Sequence, residues 1–281
     1  MSLTANNHAI RGGWRLLMSI WRASSARHVD LIAAGVAFYA MLAIFPAVAA
    51  IIALWGFVSD PGVIRTQLEL LRSFVPEQAL ALLEGQVSDL IAANDSTLGW
   101  TTLVSTGAAL WSTRAGVSAL IRGLNATHGT RPRSGLGSYL AAILLTAALV
   151  LVALVALAGI VVTPLVLAFL PQGGWIAPIL SVSRWIVVIV VVLFGLGLIY
   201  RYGPNHEHAR PAWISPGAVF ALLIWAAAST GFSVYLANFG NYNQVYGSIG
   251  AVIALLMWFF ISAYVVLLGA ALNAEIARRD P

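Results

Sequence analysis

The chain has 281 residues, of which 60% are hydrophobic and 9% charged, against about 25% charged in an ordinary soluble domain, so its charges are too few to cover a water-facing surface. All 15 basic residues are arginine, which gives a net charge of +5, and there is no cysteine, which excludes disulfides, iron–sulfur clusters and thiolate zinc sites. In a soluble protein this basic balance would point to nucleic acid, but here the arginines sit in short loops between apolar runs, the positive-inside pattern of a membrane protein, and no nucleic-acid partner is expected.

Residues 1–30 carry Arg11, Arg15, Arg22 and Arg27. Trp14, Leu17, Met18 and Trp21 recur among them at helical spacing, which predicts an amphipathic helix lying on the membrane surface. The first apolar run, 31–58, is too long for the core of a signal peptide, roughly 7–15 residues. It reads as an uncleaved spanning helix, kinked at Pro46. Residues 59–97 hold Asp60, Glu69, Glu77, Glu84, Asp89 and Asp95 against Arg65 and Arg72. Leucines there repeat at helical intervals, so a small cap of two amphipathic helices, broken near Pro76, is expected outside the membrane.

A helix needs about 20 apolar residues to cross the hydrocarbon core, and five further stretches reach that length. The second, 98–120, is unusually polar, with Thr101, Thr102, Ser105, Thr106, Ser112, Thr113 and Arg114, so other helices or a cavity should shield it. The third, 138–170, would be about 50 Å long at about 1.5 Å per residue; it must tilt, protrude or bend at Pro164. The fourth, 179–200, leads into a basic loop containing His206-Glu207-His208. That histidine spacing fits neither one helix face nor a common zinc motif, and the loop reads as a solvated connection. The fifth run is 213–238. The link to the sixth, 249–276, is rich in amides and aromatics. Its Asn241, Tyr242, Asn243, Tyr246 and Gly247 fit either an interfacial hairpin in the aromatic belt or a gate at the outer mouth of a pathway.

With the N-terminus inside, the cytoplasmic side holds Arg11, Arg15, Arg22, Arg27, Arg122, Arg131, Arg133, Arg201, Arg210, Arg278 and Arg279, and the outer side only Arg65, Arg72 and Arg184. This asymmetry sets the orientation. The expected architecture is all-α: one polytopic membrane domain of about six transmembrane helices, both termini cytoplasmic, with the small cap outside. Ala33, Gly35, Gly116, Gly123, Gly217, Gly231 and Gly250 are small enough to let helices approach closely.

Ionisable groups inside a membrane are costly and usually face a cavity or a partner. Asp30 opens the first span, Arg114 lies within the second, and Glu275 closes the sixth with Asn273 beside it. These residues read either as packing ion pairs or as a headgroup site, since a guanidinium offers phosphate two parallel hydrogen bonds.

Several stretches together resemble the YihY/BrkB family of bacterial inner-membrane proteins. They are Ala33-Ala34-Gly35-Val36-Ala37-Phe38-Tyr39 with Phe45-Pro46, Trp111-Ser112-Thr113-Arg114 with Gly123-Leu124-Asn125, and Tyr200-Arg201-Tyr202-Gly203-Pro204-Asn205. Pro216-Gly217-Ala218, Gly231-Phe232-Ser233-Val234-Tyr235, Tyr246-Gly247-Ser248-Ile249-Gly250 and Gly269-Ala270-Ala271-Leu272-Asn273-Ala274-Glu275 complete the set. Where the family commonly has an acid in the last stretch, this chain has Ala271, so an acidic role there is not carried over. The resemblance implies about six spans in the bacterial inner membrane. Some members have been labelled ribonucleases and others virulence factors, and movement of lipids or other amphiphiles is the function the resemblance raises.

No nucleophile elbow, phosphate loop or nucleotide fingerprint is present, and the acids are scattered, so an enzyme is not expected and no cofactor or metal is implied. The leading reading is a transporter or flippase-like protein whose partners are membrane lipids. The alternative is an assembly protein whose outer segment 59–97 meets an extracytoplasmic partner; a membrane ribonuclease ranks below both.

Overall fold

A computed structural model of the chain describes residues 18, 19, 22, 24–58, 95–168, 176–206, 210–238 and 242–279, with side chains chiefly in 24–44, 106–153, 186–206, 210–236 and 252–278. The expected surface helix around Trp14 and Trp21 lies outside the described residues, as does the cap segment up to residue 94. Among the described residues there are six long helices and no strand: α1 (Val29–Val58), α2 (Asp95–His128), α3 (Gly135–Ala168), α4 (Ile176–Tyr202), α5 (Pro216–Asn238) and α6 (Tyr242–Arg279). Pro46 and Pro164 fall within α1 and α3. The link before the sixth run is shorter than its composition predicts: Tyr242, Asn243, Tyr246 and Gly247 are already helical in α6, and Asn241 lies outside the described residues.

Among the described residues, three stretches are long and apolar enough to cross a membrane: Gly135–Ala153, Pro216–Leu236 and Val252–Arg278. Val29–Ile44 and Ile186–Tyr202 are shorter apolar helices. The polar helix α2 is not among these five. The side-chain arrangement is that of a protein solvated by lipid. Leu136, Leu140, Leu144, Leu151 and Val155 form an exposed stripe along one face of α3, with Leu144 68% exposed. On α4, Ile186 to Val190 are exposed in a row. The buried residues, by contrast, include Asn125, Thr127, Thr146, Ser215 and Asn273. An exposed stripe this long would be an aggregation hazard in water; against acyl chains it costs nothing.

The chain divides into two compact units. The first comprises residues 1–33, 117–228 and 262–281. Its core joins Val117 and Ile121 of α2 to Ala142 and Leu145 of α3, with Leu149 and Leu198 packed alongside. Here α5 and α6 cross at backbone distance. A Cβ on Gly217 would stand 2.1 Å from the Gly269 carbonyl oxygen, and one on Gly269 would stand 2.4 Å from the Tyr200 hydroxyl. Ala218, Ala221, Ala270 and Ala271 are buried around this crossing, the small-residue packing that lets helices associate without a hydrophobic driving force. Gly123 is a second close approach, 2.7 Å in the same sense from Leu267.

The second unit comprises 34–116 and 229–261. Ala37 and Ala43 of α1 and Ala109 and Ser112 of α2 are buried in it. A Cβ on Gly116 would meet the Tyr39 Cβ at an ordinary 3.4 Å. The Thr113 hydroxyl donates to the Ala109 carbonyl at 2.7 Å, hiding one polar group of this helix in its own backbone. Gly35 and Gly231, also small, face open space and are not close-approach positions.

Gly217→Ala and Gly269→Ala should therefore each cost about 1–3 kcal/mol through overpacking, read as a lower melting temperature of the detergent-solubilised protein. Gly231→Ala, with room for its methyl, should show no loss; an equal loss at all three would contradict the crossing.

Candidate functional site

The polar residues of the first unit collect where α2 and α4 end. The last four carbonyls of a helix lack intrahelical partners and form its negative pole. At the end of α2 the chain turns through Gly129 at φ +71°. Thr130 N–H reaches the Asn125 carbonyl at 3.0 Å and Gly129 N–H the Ala126 carbonyl at 3.2 Å, the pairing of a Schellman turn, which favours glycine at its left-handed residue. The Arg27 guanidinium, arriving from before α1, donates to the Thr127 carbonyl. At the end of α4, Arg133 Nη1 donates to the Gly203 carbonyl and Nη2 to that of Pro204, both at 2.8 Å. Arg201 donates to the Pro211 carbonyl at 3.0 Å and lies 5.5 Å over the Trp213 ring, while Arg210 lies 5.3 Å over Tyr202. Each pairing places a cation on a helix terminus or an aromatic face.

Two consecutive rungs tie the end of α2 to the loop after α4. In the first, Asn205 N–H donates to Asn125 Oδ1 at 2.7 Å, and Thr130 Oγ1 donates to the same oxygen at 3.1 Å. In the second, the His128 and His206 rings meet edge to face, 5.5 Å between centroids and 89° apart. His128 Nδ1 lies 2.9 Å from the Leu124 carbonyl and His206 Nε2 2.9 Å from that of Tyr200. A carbonyl only accepts, so in each neutral ring that nitrogen carries the proton. In the 201–211 loop, expected from sequence to be a solvated connection, His206 is instead half-buried and paired. The available signal was His128, four residues before Pro132 and in the last turn of a helix, where a histidine bonds the end carbonyls. Glu207 and His208 lie outside the described residues.

Facing these helix ends is the start of α5. Ser215 is its N-cap: Ala218 N–H donates to Ser215 Oγ at 3.2 Å, and Pro216 fills the first position, where a missing N–H costs nothing. The next N–H, on Gly217, donates to Asn273 Oδ1 of α6 at 2.8 Å, and Asn273 Nδ2 donates back to Ser215 Oγ at 2.9 Å. Asn273, one of the sequence-derived pathway candidates, thus spends both ends of its amide capping α5 across the helix crossing.

The other candidates lie as follows. Asp30 is exposed in the first turn of α1, where a carboxylate is favoured by the helix dipole. It follows His28, a non-glycine residue at φ +51°, which marks the sharp entry to the helix. Glu275 lies 3.6 Å from Arg278 one turn on. These three residues belong to the first unit and Arg114 to the second.

The first unit is electropositive. Its described side chains include Arg22, Arg27, Arg122, Arg131, Arg133, Arg201, Arg210 and Arg278, and the described acids are Asp30 and Glu275. Burial, with His206, Arg278 and Arg27 nearby, holds the His128 imidazole below its ordinary value, against the opposing pull of its bond to Leu124. Burial, with Arg210, Arg133 and Arg201, does the same to His206. Burial and Arg278 also lower Arg27, and Glu275 offsets part of this.

The profile described as Virulence factor BrkB matches residues 20–281. The chain belongs to the BrkB family. Among curated BrkB-like relatives, the putative ribonuclease-like protein YfkH of Bacillus subtilis is 32% identical over 253 residues, 88% of this chain and 89% of that one. A UPF0761 membrane protein of Xanthomonas oryzae is 36% identical over 107 residues, 38% of this chain and 24% of its own length. No solved structure matches the chain. This BrkB chain is a membrane protein, with apolar helices able to span a bilayer.

Both imidazoles are held below the unfolded value of 6.5, so the unfolded chain takes up protons first as pH falls. Their contribution to stability is whole above that value and is lost as pH drops below it toward the folded-state values. The melting temperature should fall between about pH 7 and 5, and His206→Gln should flatten that dependence. A slope unchanged in the variant would remove the pair as its source.

Proposed function

We propose that this BrkB-family protein moves a lipid or other amphiphile across the bacterial inner membrane. The observation that carries this reading is a juxtaposition within the first unit. Long exposed apolar flanks on α3, α4 and α5 end in a fixed set of arginines. A molecule with an apolar tail and an anionic head matches both surfaces at once, and arginine is the side chain suited to phosphate. The chain is read as crossing six times with both termini cytoplasmic, so that the arginine end faces the cytoplasm. Arg114, inside the polar helix α2, is the residue placed on the pathway between the two sides.

The ribonuclease-like name belongs to the Bacillus relative. In this chain the histidines that would serve a hydrolase are turned to other uses: each of the described pair has one ring nitrogen on a backbone carbonyl and its ring against the other. We therefore assign no catalytic role.

Purified protein in liposomes should move fluorescent phospholipid between leaflets faster than empty liposomes, and Arg114→Ala should lose most of that rate. No movement above empty liposomes would overturn the lipid reading. The absence of cysteine makes the orientation directly testable: Pro132→Cys, in the exposed α2–α3 turn, should react with an impermeant thiol reagent only from the cytoplasmic side.

A further inference from the structure

Five arginines act on the two histidines from five separate parts of the first unit. Arg27 precedes α1 and Arg278 ends α6; both bear on His128. Arg133 from the α2–α3 turn, Arg201 from the end of α4 and Arg210 from the α4–α5 loop bear on His206. The carboxylate described among these groups is Glu275, beside Arg278 and felt by Arg27. Five cations against one acid leave an excess of positive charge at a partly desolvated place, where repulsion is stronger than in water.

Arg27 and Arg278 are each tied to a backbone carbonyl, with Arg278 half-exposed. Arg27 is fixed on the Thr127 carbonyl, and its Nη2 lies 3.6 Å from where a Gly129 Cβ would stand. Arg278 Nε donates to the Ala274 carbonyl at 3.2 Å. Helix-end capping accounts for Arg27 and Arg133; Arg278 pairs with Glu275 at 3.6 Å, and that one carboxylate is shared with Arg27 between two cations that disfavour each other. A second, independent feature lies one rung away. Asn125 is 2% exposed; its Oδ1 is used twice, and its buried Nδ2 has no hydrogen-bond partner. A buried donor left unmade is costly and calls for an acceptor.

We infer that this end of the first unit binds a phosphate-type oxyanion, received by Arg27 and Arg278 beside the His128–His206 rung. An oxyanion would add to the single charge of Glu275 the negative charge that five cations leave unbalanced, and would bring acceptor oxygens among surplus N–H donors. It would also join the segment before α1, the end of α2, the α4–α5 loop and the end of α6, which meet here without a covalent tie. Bound negative charge favours the protonated imidazoles, so binding should strengthen as pH falls from 8 to 6. The groups setting that dependence are the two histidines, with Arg27, Arg133, Arg201, Arg210, Arg278 and Glu275 facing them. The phosphate could be free or part of a lipid headgroup; a headgroup would make this the cytoplasmic acceptor of the proposed pathway, and that assignment rests on the transport reading.

The test is thermal stability and equilibrium binding of the full chain in neutral detergent. Inorganic phosphate is titrated against chloride at matched ionic strength, and, separately, phosphatidylglycerol against phosphatidylcholine in mixed micelles. Phosphate should raise the melting temperature beyond chloride, and more at pH 6 than at pH 8. Arg278→Gln, at a half-exposed position, should weaken binding about tenfold or more, the loss of one charge-assisted contact. Arg22→Gln, exposed and outside the cluster, controls for general charge and should bind as the parent does. A response to phosphatidylglycerol alone assigns the phosphate to a lipid, and a response to phosphate alone assigns it to a free anion. Neither response, or one equal to chloride or untouched by Arg278→Gln, overturns the site. Since no translocation is measured, a protein that binds phosphate but moves no lipid fails the transport reading alone.

Discussion

The arrangement of the first unit depends on how two helix ends dispose of their carbonyl groups. Helices α2 and α4 finish close together, and each presents unpaired oxygens at a negative pole. Arg27 takes one such carbonyl and Arg133 takes two on consecutive residues, and two histidines take carbonyls from the turns before. A guanidinium suits the task because its N–H groups form a rigid planar fork, so one side chain bonds neighbouring oxygens with little further loss of freedom. The same pairings fix the loops: Arg133 reaches across some 70 residues, and Arg27 across 100. The turns between helices thus become a connected layer, and the histidine rung and the Asn125–Asn205 rung are placed by it.

At the opposite polarity the solution uses no charge. The start of α5 is a positive pole, yet Ser215 and Asn273 satisfy its first N–H groups as neutral hydrogen-bond partners. This is possible because Gly217 and Gly269 let α5 and α6 touch backbone to backbone, so an amide on one helix reaches the cap of the other. A bulkier residue at either glycine would separate Asn273 from Gly217 N–H as well as clash, so packing and capping fail together.

Much of the helical plan was legible from hydropathy alone. All six predicted spans fall within or nearly within six helices; for the three long apolar stretches and the two shorter ones the signal is strong and local, because a lipid-facing helix must be apolar over its length, whereas α2 is polar. The ends were less legible. The sixth helix starts at Tyr242, earlier than its apolar run, because amides and aromatics such as Asn243 and Tyr246 mark a membrane interface as readily as a turn. The site was least legible. Arg27, Arg133 and the two histidines are separated by up to about 180 residues in sequence, and no periodicity connects them; only the meeting of helix ends does. The sequence singled out Asn273 for its place beside Glu275 inside a span. The residue is indeed buried and polar, but its partners, Gly217 and Ser215, lie more than 50 residues away.

The arginine-only composition gains a physical meaning from this layer. Lysine would satisfy the positive-inside rule as well as arginine does, since orientation counts charge near the ends of spans. It would not replace Arg133, whose two nitrogens bond different carbonyls, nor set a guanidinium over the Trp213 ring as Arg201 does. A lysine ammonium is a compact, strongly hydrated point charge that gives up water reluctantly at a half-buried site. Orientation and helix-end chemistry therefore make different demands on the same positions, and arginine is the side chain that meets both. The demands part company at Arg278, which is half-exposed, bonds one carbonyl of its own helix, and stands near another cation. Topology alone does not require it to be drawn toward Arg27, and capping does not either. What both guanidiniums share is the Glu275 carboxylate, 3.6 Å from Arg278 and felt by Arg27.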